Sequence, residues 1–291
     1  MRARCATVVL LLAFLAVLPG CGQASASGSV DQLLEQGWRA YSTGDFDFAV
    51  ASFRKVEESG DLTQEQLSSA LLGIATTYHL STNPDLDRAR EHYVRLEKLP
   101  LEAARRQGKM GKALVDLARG ETASGQLLLT ELINEFPQSG EADEAALYLA
   151  DSLFKARRDA EAVGGWSFPP DSQVSRGLTL LEQRVSNRPD SRLRGVMHMT
   201  LAARYIERKE YRTGVEHLEA ALEAGIVSTR TRATLCWQIA RIAELELQDY
   251  PLAEKYYARY VENFERSQLF HRARLSLERV RKMQAENEEE R

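Results

Sequence analysis

The chain has 291 residues, a formal net charge of −4, 44% hydrophobic residues and 27% charged residues. This composition is close to that of ordinary soluble proteins, so it excludes a mainly disordered chain, a collagen-like fibre and a polytopic membrane protein. The mild acidity argues against nucleic-acid binding, and three cysteines are too few for a disulfide framework.

The N-terminal segment predicts an export signal. Arg2 and Arg4 precede a run of 13 residues, from position 6 to position 18, that is apolar except for Thr7. A helix that spans a membrane needs about 20 apolar residues. The run is therefore too short to span a membrane, but it suits the apolar core of a signal peptide. We assign residues 1–20 to a leader outside the fold.

The end of this leader, the Leu-Pro-Gly-Cys sequence at residues 18–21, resembles a bacterial lipobox. The resemblance implies cleavage before Cys21 and lipidation of Cys21, which would anchor the protein to a membrane. Gly22 follows where Asp would imply inner-membrane retention, so the implied location is the periplasmic side of the outer membrane. An ordinary signal peptide cut near residues 24–26 and an uncleaved anchor are the alternatives. Residues 22–29 are small and polar, which predicts a flexible tether over residues 21–30.

The main part of the chain, residues 31–284, predicts a series of paired helices. In the first pair, Gly37 and Ala49 lie 12 positions apart around a Gly-Asp turn, and Phe53 follows Ala49 by one helical turn. Small residues let two antiparallel helices approach closely, and the aromatic ring fills the space against the next pair. This spacing resembles the 34-residue tetratricopeptide repeat.

Related patterns recur in five further segments. Small and large apolar residues at similar spacing carry them: Leu72, Gly73, Ala89 and Tyr93; Gly125 and Leu129; Ala150, Phe154 and Gly177; Leu201, Ala202 and Gly214; Trp237, Ala253 and Tyr257. The resemblance implies an all-α fold, a right-handed α-solenoid of about six tetratricopeptide-like helix pairs. A last helix, from residue 268 to about 284, would cap the stack, and the acidic residues 285–291 would fray.

One segment shows a narrower resemblance. Residues 136–139 read Phe-Pro-Gln-Ser and precede an Ala-rich helix. This sequence pattern is similar to that of the repeats of periplasmic envelope proteins. Examples are the tetratricopeptide lipoprotein of the outer-membrane β-barrel assembly machine and the Tol-Pal-associated protein. The resemblance implies a non-enzymatic scaffold that binds a protein partner of envelope or outer-membrane assembly. The alternatives are an adaptor in peptidoglycan or exopolysaccharide assembly, and a hydrolase whose site is assembled only in the fold.

No catalytic, cofactor or metal motif is recognised in the sequence. Residues 108–112, Gly-Lys-Met-Gly-Lys, have the character of a phosphate loop but lack the following Ser or Thr and the earlier Gly. We predict a basic, loosely packed helix start there instead. The five histidines show no metal-binding spacing. We therefore expect no catalytic residue, cofactor or metal.

Candidate partner-binding residues lie on the first helices. Tetratricopeptide proteins bind partners on the surface that the first helix of each pair lines, which implies inward positions for Trp38, Tyr41 and Tyr78, and also for Ile74 and Thr77. These side chains either line a groove that recognises a partner, or are buried within a tightly wound superhelix.

A second candidate is the long insertion at about residues 157–174. It carries Trp166 and Phe168 between a Gly pair and a Pro pair. Long insertions within compact repeats are often functional. This insertion is either an arm that docks on a partner or on the membrane interface, or a loop that folds back onto the solenoid.

Overall fold

The computed structural model of the protein describes residues 27–155, 157–158, 166–167 and 169–289. The described residues form thirteen helices, which confirms the predicted all-α solenoid of six pairs and a terminal helix. The helices are α1 (Ser27–Thr43), α2 (Phe46–Glu57), α3 (Gln64–Leu80), α4 (Leu86–Glu97), α5 (Glu102–Ala118), α6 (Thr122–Glu135), α7 (Gly140–Phe154), α8 (Asp171–Asn187), α9 (Arg194–Glu207), α10 (Tyr211–Glu223), α11 (Thr229–Leu245), α12 (Tyr250–Asn263) and α13 (Phe270–Glu289).

The packing order follows the chain order. Each helix packs on the helix before it and the helix after it, as in a stack of hairpins. The first helices α1, α3, α5 and α7 also contact one another in sequence, so they form a continuous layer. We call this arrangement the first-helix layer.

Side-chain caps explain where many of these helices begin. Ser139 ends the Phe-Pro-Gln-Ser segment and accepts a hydrogen bond from the backbone N–H of Ala142 at 3.1 Å. Thr63 forms a reciprocal capping box with Gln66 at the start of α3. Such caps satisfy N–H groups that have no partner inside the helix. The polar residues between the repeats therefore define the helix boundaries.

Aromatic rings from the second helices are inserted between the first helices. Phe53 of α2 is fully buried, and its ring lies against Gly37 of α1 and Gly73 of α3. A Cβ atom at Gly37 would lie 2.6 Å from the ring, and one at Gly73 would lie 2.5 Å from it. Tyr93 of α4 makes the same contact at Gly111, where the distance would be 2.2 Å. These contacts are the physical reason for the small-residue and aromatic pattern.

The predicted loosely packed helix start at residues 108–112 is wrong. Gly108 lies within α5, and a Cβ atom there would lie 2.5 Å from the backbone nitrogen of Glu97. The helix backbones of α4 and α5 therefore approach each other closely. The two lysines of the segment form ion pairs: Lys109 with Glu135 at 2.7 Å and Lys112 with Glu97 at 2.5 Å.

The ends of the solenoid differ from their predicted boundaries. Helix α1 begins at Ser27, inside the predicted tether, because Val30 is already buried against Val56 and Ala70. At the other end α13 continues to Glu289, through part of the acidic segment that was predicted to fray. The leader and Cys21 lie outside the described residues. No helix in the described part of the chain has the length and hydrophobicity of a membrane span.

The insertion after α7 contains two short strands. Strand β1 (Arg157–Arg158) pairs antiparallel with β2 (Trp166–Ser167), so that Arg158 lies opposite Trp166. Both strands lie between α7 and α8 along the chain.

Candidate functional site

A cavity of about 280 Å³ opens on the first-helix layer, and we call it the groove. It lies where α3, α5 and α7 follow one another, with one aromatic ring contributed by α4. Its lining residues are Leu72, Tyr93, Gln107, Met110, Gly111, Leu114, Gly140, Glu141 and Glu144. One wall is mainly apolar, and the end formed by α7 carries carboxylates.

The phenol of Tyr93 forms part of the apolar wall. Its ring lies on Gly111, and its hydroxyl oxygen is 3.5 Å from Oγ1 of Thr76. Burial raises the pKa of Tyr93 to about 12, and the neighbouring phenols of Tyr41 and Tyr148 add to the rise. The wall is therefore neutral at physiological pH, with one hydroxyl at its edge.

The carboxylate end of the groove contains one paired and one unpaired acid. Glu141 accepts a hydrogen bond from Nε of Arg106 at 3.1 Å. Glu144 is partly buried, and among the described residues it has no hydrogen-bond or ion-pair partner. Burial, followed by the negative charges of Glu141 and Asp143, raises the pKa of Glu144 to about 6.

Glu144 differs in this respect from three more deeply buried acids. Asp116 accepts hydrogen bonds from Arg90 at 3.0 Å and from Ser124 at 2.6 Å. Asp143, the residue before Glu144, is paired with Arg184 and Arg188. Glu244 accepts hydrogen bonds from the hydroxyl of Tyr257 and from Nε of Arg279, each at 2.7 Å. Buried charges in proteins are normally paired in this way, so Glu144 is the exception.

The predicted residues Trp38 and Tyr41 belong to α1 and pack at the start of the first-helix layer. The indole N–H of Trp38 donates to Oγ of Ser69 at 3.1 Å, and the indole packs edge-on against Phe53 and Tyr41. Tyr41 is partly buried between Trp38 and Phe46. The structure therefore places these rings next to one another, outside the lining of the groove.

Tyr78 lies at the end of α3 among basic residues. Its hydroxyl accepts a hydrogen bond from Nη2 of Arg54 at 2.7 Å, and the guanidinium of Arg88 lies 5.5 Å from the ring centre. Ile74 and Thr77 are fully buried in the core between helices, so of the two predicted alternatives, an open groove or burial, burial holds for both side chains. The partner-binding roles of Trp38, Tyr41 and Tyr78 remain predictions.

The two aromatic residues of the insertion are described only in part. The backbone of Trp166 lies in β2, whereas its side chain falls outside the described structure, as does the whole of Phe168. A partner-binding role for Trp166 and Phe168 stays a prediction.

The groove itself was missed in the sequence, although one signal points to it. Gly37, Gly73 and Gly111 follow one another at spacings of 36 and 38 positions and occupy equivalent places in successive first helices. This spacing aligns α5 with α3 and places Met110 and Leu114 on the side of the groove. Glu144 has no comparable signal, because glutamate is common on every helix of the chain.

A larger cavity, of about 420 Å³, lies between α10 and α12. Two ion pairs bridge these helices beside it, Arg212 with Asp249 at 2.8 Å and Lys255 with Glu219 at 3.2 Å. These pairs include four of the five charged residues in its wall, and the fifth, Glu216, is exposed, whereas Glu144 is partly buried.

Two histidines that are distant in the sequence meet between α9 and α10. Nδ1 of His198 lies 3.0 Å from Nδ1 of His217, and the ring of Tyr205 stacks on His217. Burial, with the nearby His217 and Arg194, lowers the pKa of His198 to about 4, so that the imidazole is neutral at physiological pH. Within the described ranges, no three side chains of the metal-binding types come together.

The described helices define an all-α helical-repeat solenoid. The chain aligns with the structure of PilF of Pseudomonas aeruginosa with a TM-score of 0.52, at 12% identity, over 86% of this chain and 98% of that one. It aligns with the apo form of RapI with a TM-score of 0.55, at 16% identity, over 88% of this chain and 72% of that one. At these identities the likeness shows the fold alone. No protein-family model matches the sequence, and a search of curated proteins finds no match.

Proposed function

We propose that the protein is a lipid-anchored scaffold on the periplasmic side of the outer membrane, which holds a protein partner during assembly of the cell envelope. The observation that carries the scaffold role is the groove on the first-helix layer. Solenoids of this kind generally bind protein segments on that layer. The combination of an apolar wall with a few polar groups suits a peptide chain rather than a uniformly polar ligand.

The packing beneath the groove supports this role because it keeps the binding surface rigid. The rings of Phe53 and Tyr93 fit against glycines of the neighbouring first helices, which sets the spacing between α1, α3 and α5. A surface that is rigid before binding loses little conformational entropy when a partner binds. The groove is therefore preorganised for recognition.

The lipid anchor is supported by the leader and the lipobox-like residues 18–21. Helix α1 begins at Ser27, so only residues 22–26 separate Cys21 from the solenoid. A chain of this length reaches at most about 20 Å when fully extended. Lipidation of Cys21 would therefore hold the first helix pair close to the membrane surface.

The anchor is tested by the variant Cys21→Ala. We expect the wild-type protein to incorporate a clickable fatty acid and to fractionate with outer membranes. The variant should lose the label and appear in the soluble periplasmic fraction. Retention of the variant in the membrane fraction would overturn the anchor.

The scaffold role is tested by site-specific photocrosslinking in intact cells. A photoreactive amino acid at Gln107, which lines the groove, should crosslink to a protein of the envelope. The matched control is the same amino acid at Leu127 of α6, an exposed position that does not line the groove. Absence of a protein adduct at Gln107, or equal adducts at both positions, would contradict the proposal.

A further inference from the structure

We infer that the groove selects a partner segment that presents a lysine or arginine side chain, whose cation binds the Glu144 carboxylate while its alkyl stem lies along Leu72 and Met110. The inference rests on the scaffold function proposed above and adds the chemistry of the partner. It is carried by the position of one unpaired carboxylate beside an apolar wall.

Glu144 differs from the buried acids of the chain in its hydrogen-bond partners. The protein supplies Arg, Ser or Tyr donors to Asp116, Asp143 and Glu244, but the described chain supplies none to Glu144. A partly buried carboxylate without a partner loses hydration and gains nothing in return. A cation from outside the chain restores the missing interaction.

The lining of the cavity suits a long basic side chain. Glu144 lies on α7, and Leu72 and Met110 lie on α3 and α5 in the same lining. Lysine and arginine combine a long apolar stem with a charged end, which matches an apolar wall that ends at a carboxylate. The thioether of Met110 adapts readily to either stem.

Other charged side chains around this end of the groove form ion pairs with one another. Arg106 is held between Glu102 and Glu141, so its charge is already compensated. Asp143 is compensated by Arg184 and Arg188. The negative charge of Glu144 is therefore left over, and it repels an acidic side chain while it attracts a basic one.

A neighbouring aromatic ring adds to the preference for a cation. Tyr148 follows Glu144 by one helical turn on α7 and is 36% exposed. An exposed phenol ring beside a carboxylate offers a cation a second favourable contact through its π-face. The phenol stays neutral, because burial and the charges of Glu144 and Asp151 raise its pKa.

The test is a selection of random peptides displayed on phage, performed against the purified full-length protein. Four proteins are compared: wild type, Glu144→Gln, Glu144→Lys and a control variant. The control is Glu131→Gln on α6, which removes a charge outside the groove. Circular dichroism and the thermal midpoint of each variant establish that it is folded.

We expect wild type and Glu131→Gln to enrich peptides with Lys or Arg at one fixed position beside an apolar residue. Glu144→Gln should lose that enrichment, and Glu144→Lys should reverse it towards Asp or Glu. For a selected peptide, Glu144→Gln should weaken the affinity by about tenfold to a hundredfold. Replacement of the peptide lysine by norleucine should cost the same factor, with little further loss when both changes are combined.

The outcomes separate the two proposals. Enriched peptides without Lys or Arg, or with the same basic preference in Glu144→Gln, overturn the inference and leave the scaffold function standing. Failure of the wild-type protein to enrich any peptide overturns both. A basic preference that follows the charge at position 144 supports both.

Discussion

Two neighbouring acids on α7 differ in whether the described chain pairs them. Asp143 faces α8 and is buried between Arg184 and Arg188. Glu144 faces the groove, where no described residue pairs with it. The two residues differ by one position, which turns the side chain about 100° around a helix. Burial with partners stabilises the stack, whereas partial burial without partners leaves a site available for a ligand.

The same contrast distinguishes the last helix pairs from the part of the solenoid that carries the groove. In the last pairs, buried tyrosines and acids satisfy one another: Tyr257 donates to Glu244, and Tyr256 donates to Glu219, each at 2.7 Å. In the first-helix layer from α3 to α7, the groove retains a charge that the described chain does not neutralise. The Tyr–Glu hydrogen bonds therefore stabilise the C-terminal part, and the groove carries the recognition that we propose.

The largest expected loss of stability comes from breaking the ion pair between Asp143 and Arg184. Asp143→Ala leaves the Arg184 guanidinium buried without its carboxylate, and should lower the free energy of unfolding by about 3–5 kcal/mol. Urea unfolding followed by circular dichroism measures it. Glu144→Ala is the matched neighbour and should lower the free energy of unfolding by far less. Equal losses in the two variants would contradict the distinction between the two faces of α7.

The next effect concerns two glycines that both line the groove. Gly111→Ala forces a methyl group into the Tyr93 ring and should destabilise the protein by about 1–3 kcal/mol. Gly140→Ala meets no atom within 4 Å and should leave stability unchanged or slightly higher. Thermal midpoints of both variants give the comparison. A Gly111→Ala variant as stable as wild type would show that the ring contact does not set the helix spacing.

A smaller effect is expected from pH. The raised pKa of Glu144 means that the folded protein binds a proton more tightly than the unfolded chain. Stability should therefore fall as pH rises from about 4.5 through about 6, by about 1 kcal/mol once solvent screening of this partly exposed group is included. In Glu144→Gln this part of the pH dependence should vanish, which urea unfolding at several pH values measures. An identical pH profile in both proteins would show that Glu144 titrates normally.

The smallest effect on stability is expected from Asp151, an exposed acid on α7. Asp151 is exposed and forms an ion pair with Lys155 at 2.5 Å, one helical turn away. Pairs of this kind contribute little because water solvates both charges. Asp151→Asn should change the free energy of unfolding by less than about 0.5 kcal/mol. A loss comparable to that of Asp143→Ala would mean that exposure does not separate these acids.

The repeat architecture was predictable because its signals are local. Gly37, Ala49 and Phe53 lie within one hairpin, so their spacing alone indicates two closely packed helices. The groove was not predictable in the same way. Asp143 and its partner Arg184 are 41 positions apart, and nothing in the sequence assigns that arginine to Asp143 rather than to Glu144. Which acid is paired depends on how α8 packs on α7.

The second feature that the sequence did not predict is which side of each first helix faces the core. The sequence left open whether Ile74 and Thr77 line a groove or are buried; α3 buries them in the core and places Leu72 in the groove. A difference of two positions rotates a side chain by about 200° around a helix, so a small error in register exchanges the buried and open faces. Ring contacts at Gly73 and Gly111 establish the register once the fold is known.

The most direct measurement is an NMR titration of the Glu144 carboxyl carbon, assigned by comparison with Glu144→Gln. In the free protein we predict a pKa of about 6, and a fall below the ordinary value of a glutamate when a lysine-containing peptide selected by the groove is added. The norleucine version of that peptide should not produce the fall. An ordinary pKa in the free protein that the lysine peptide leaves unchanged would contradict the claim that Glu144 is an unpaired acid held for a basic partner.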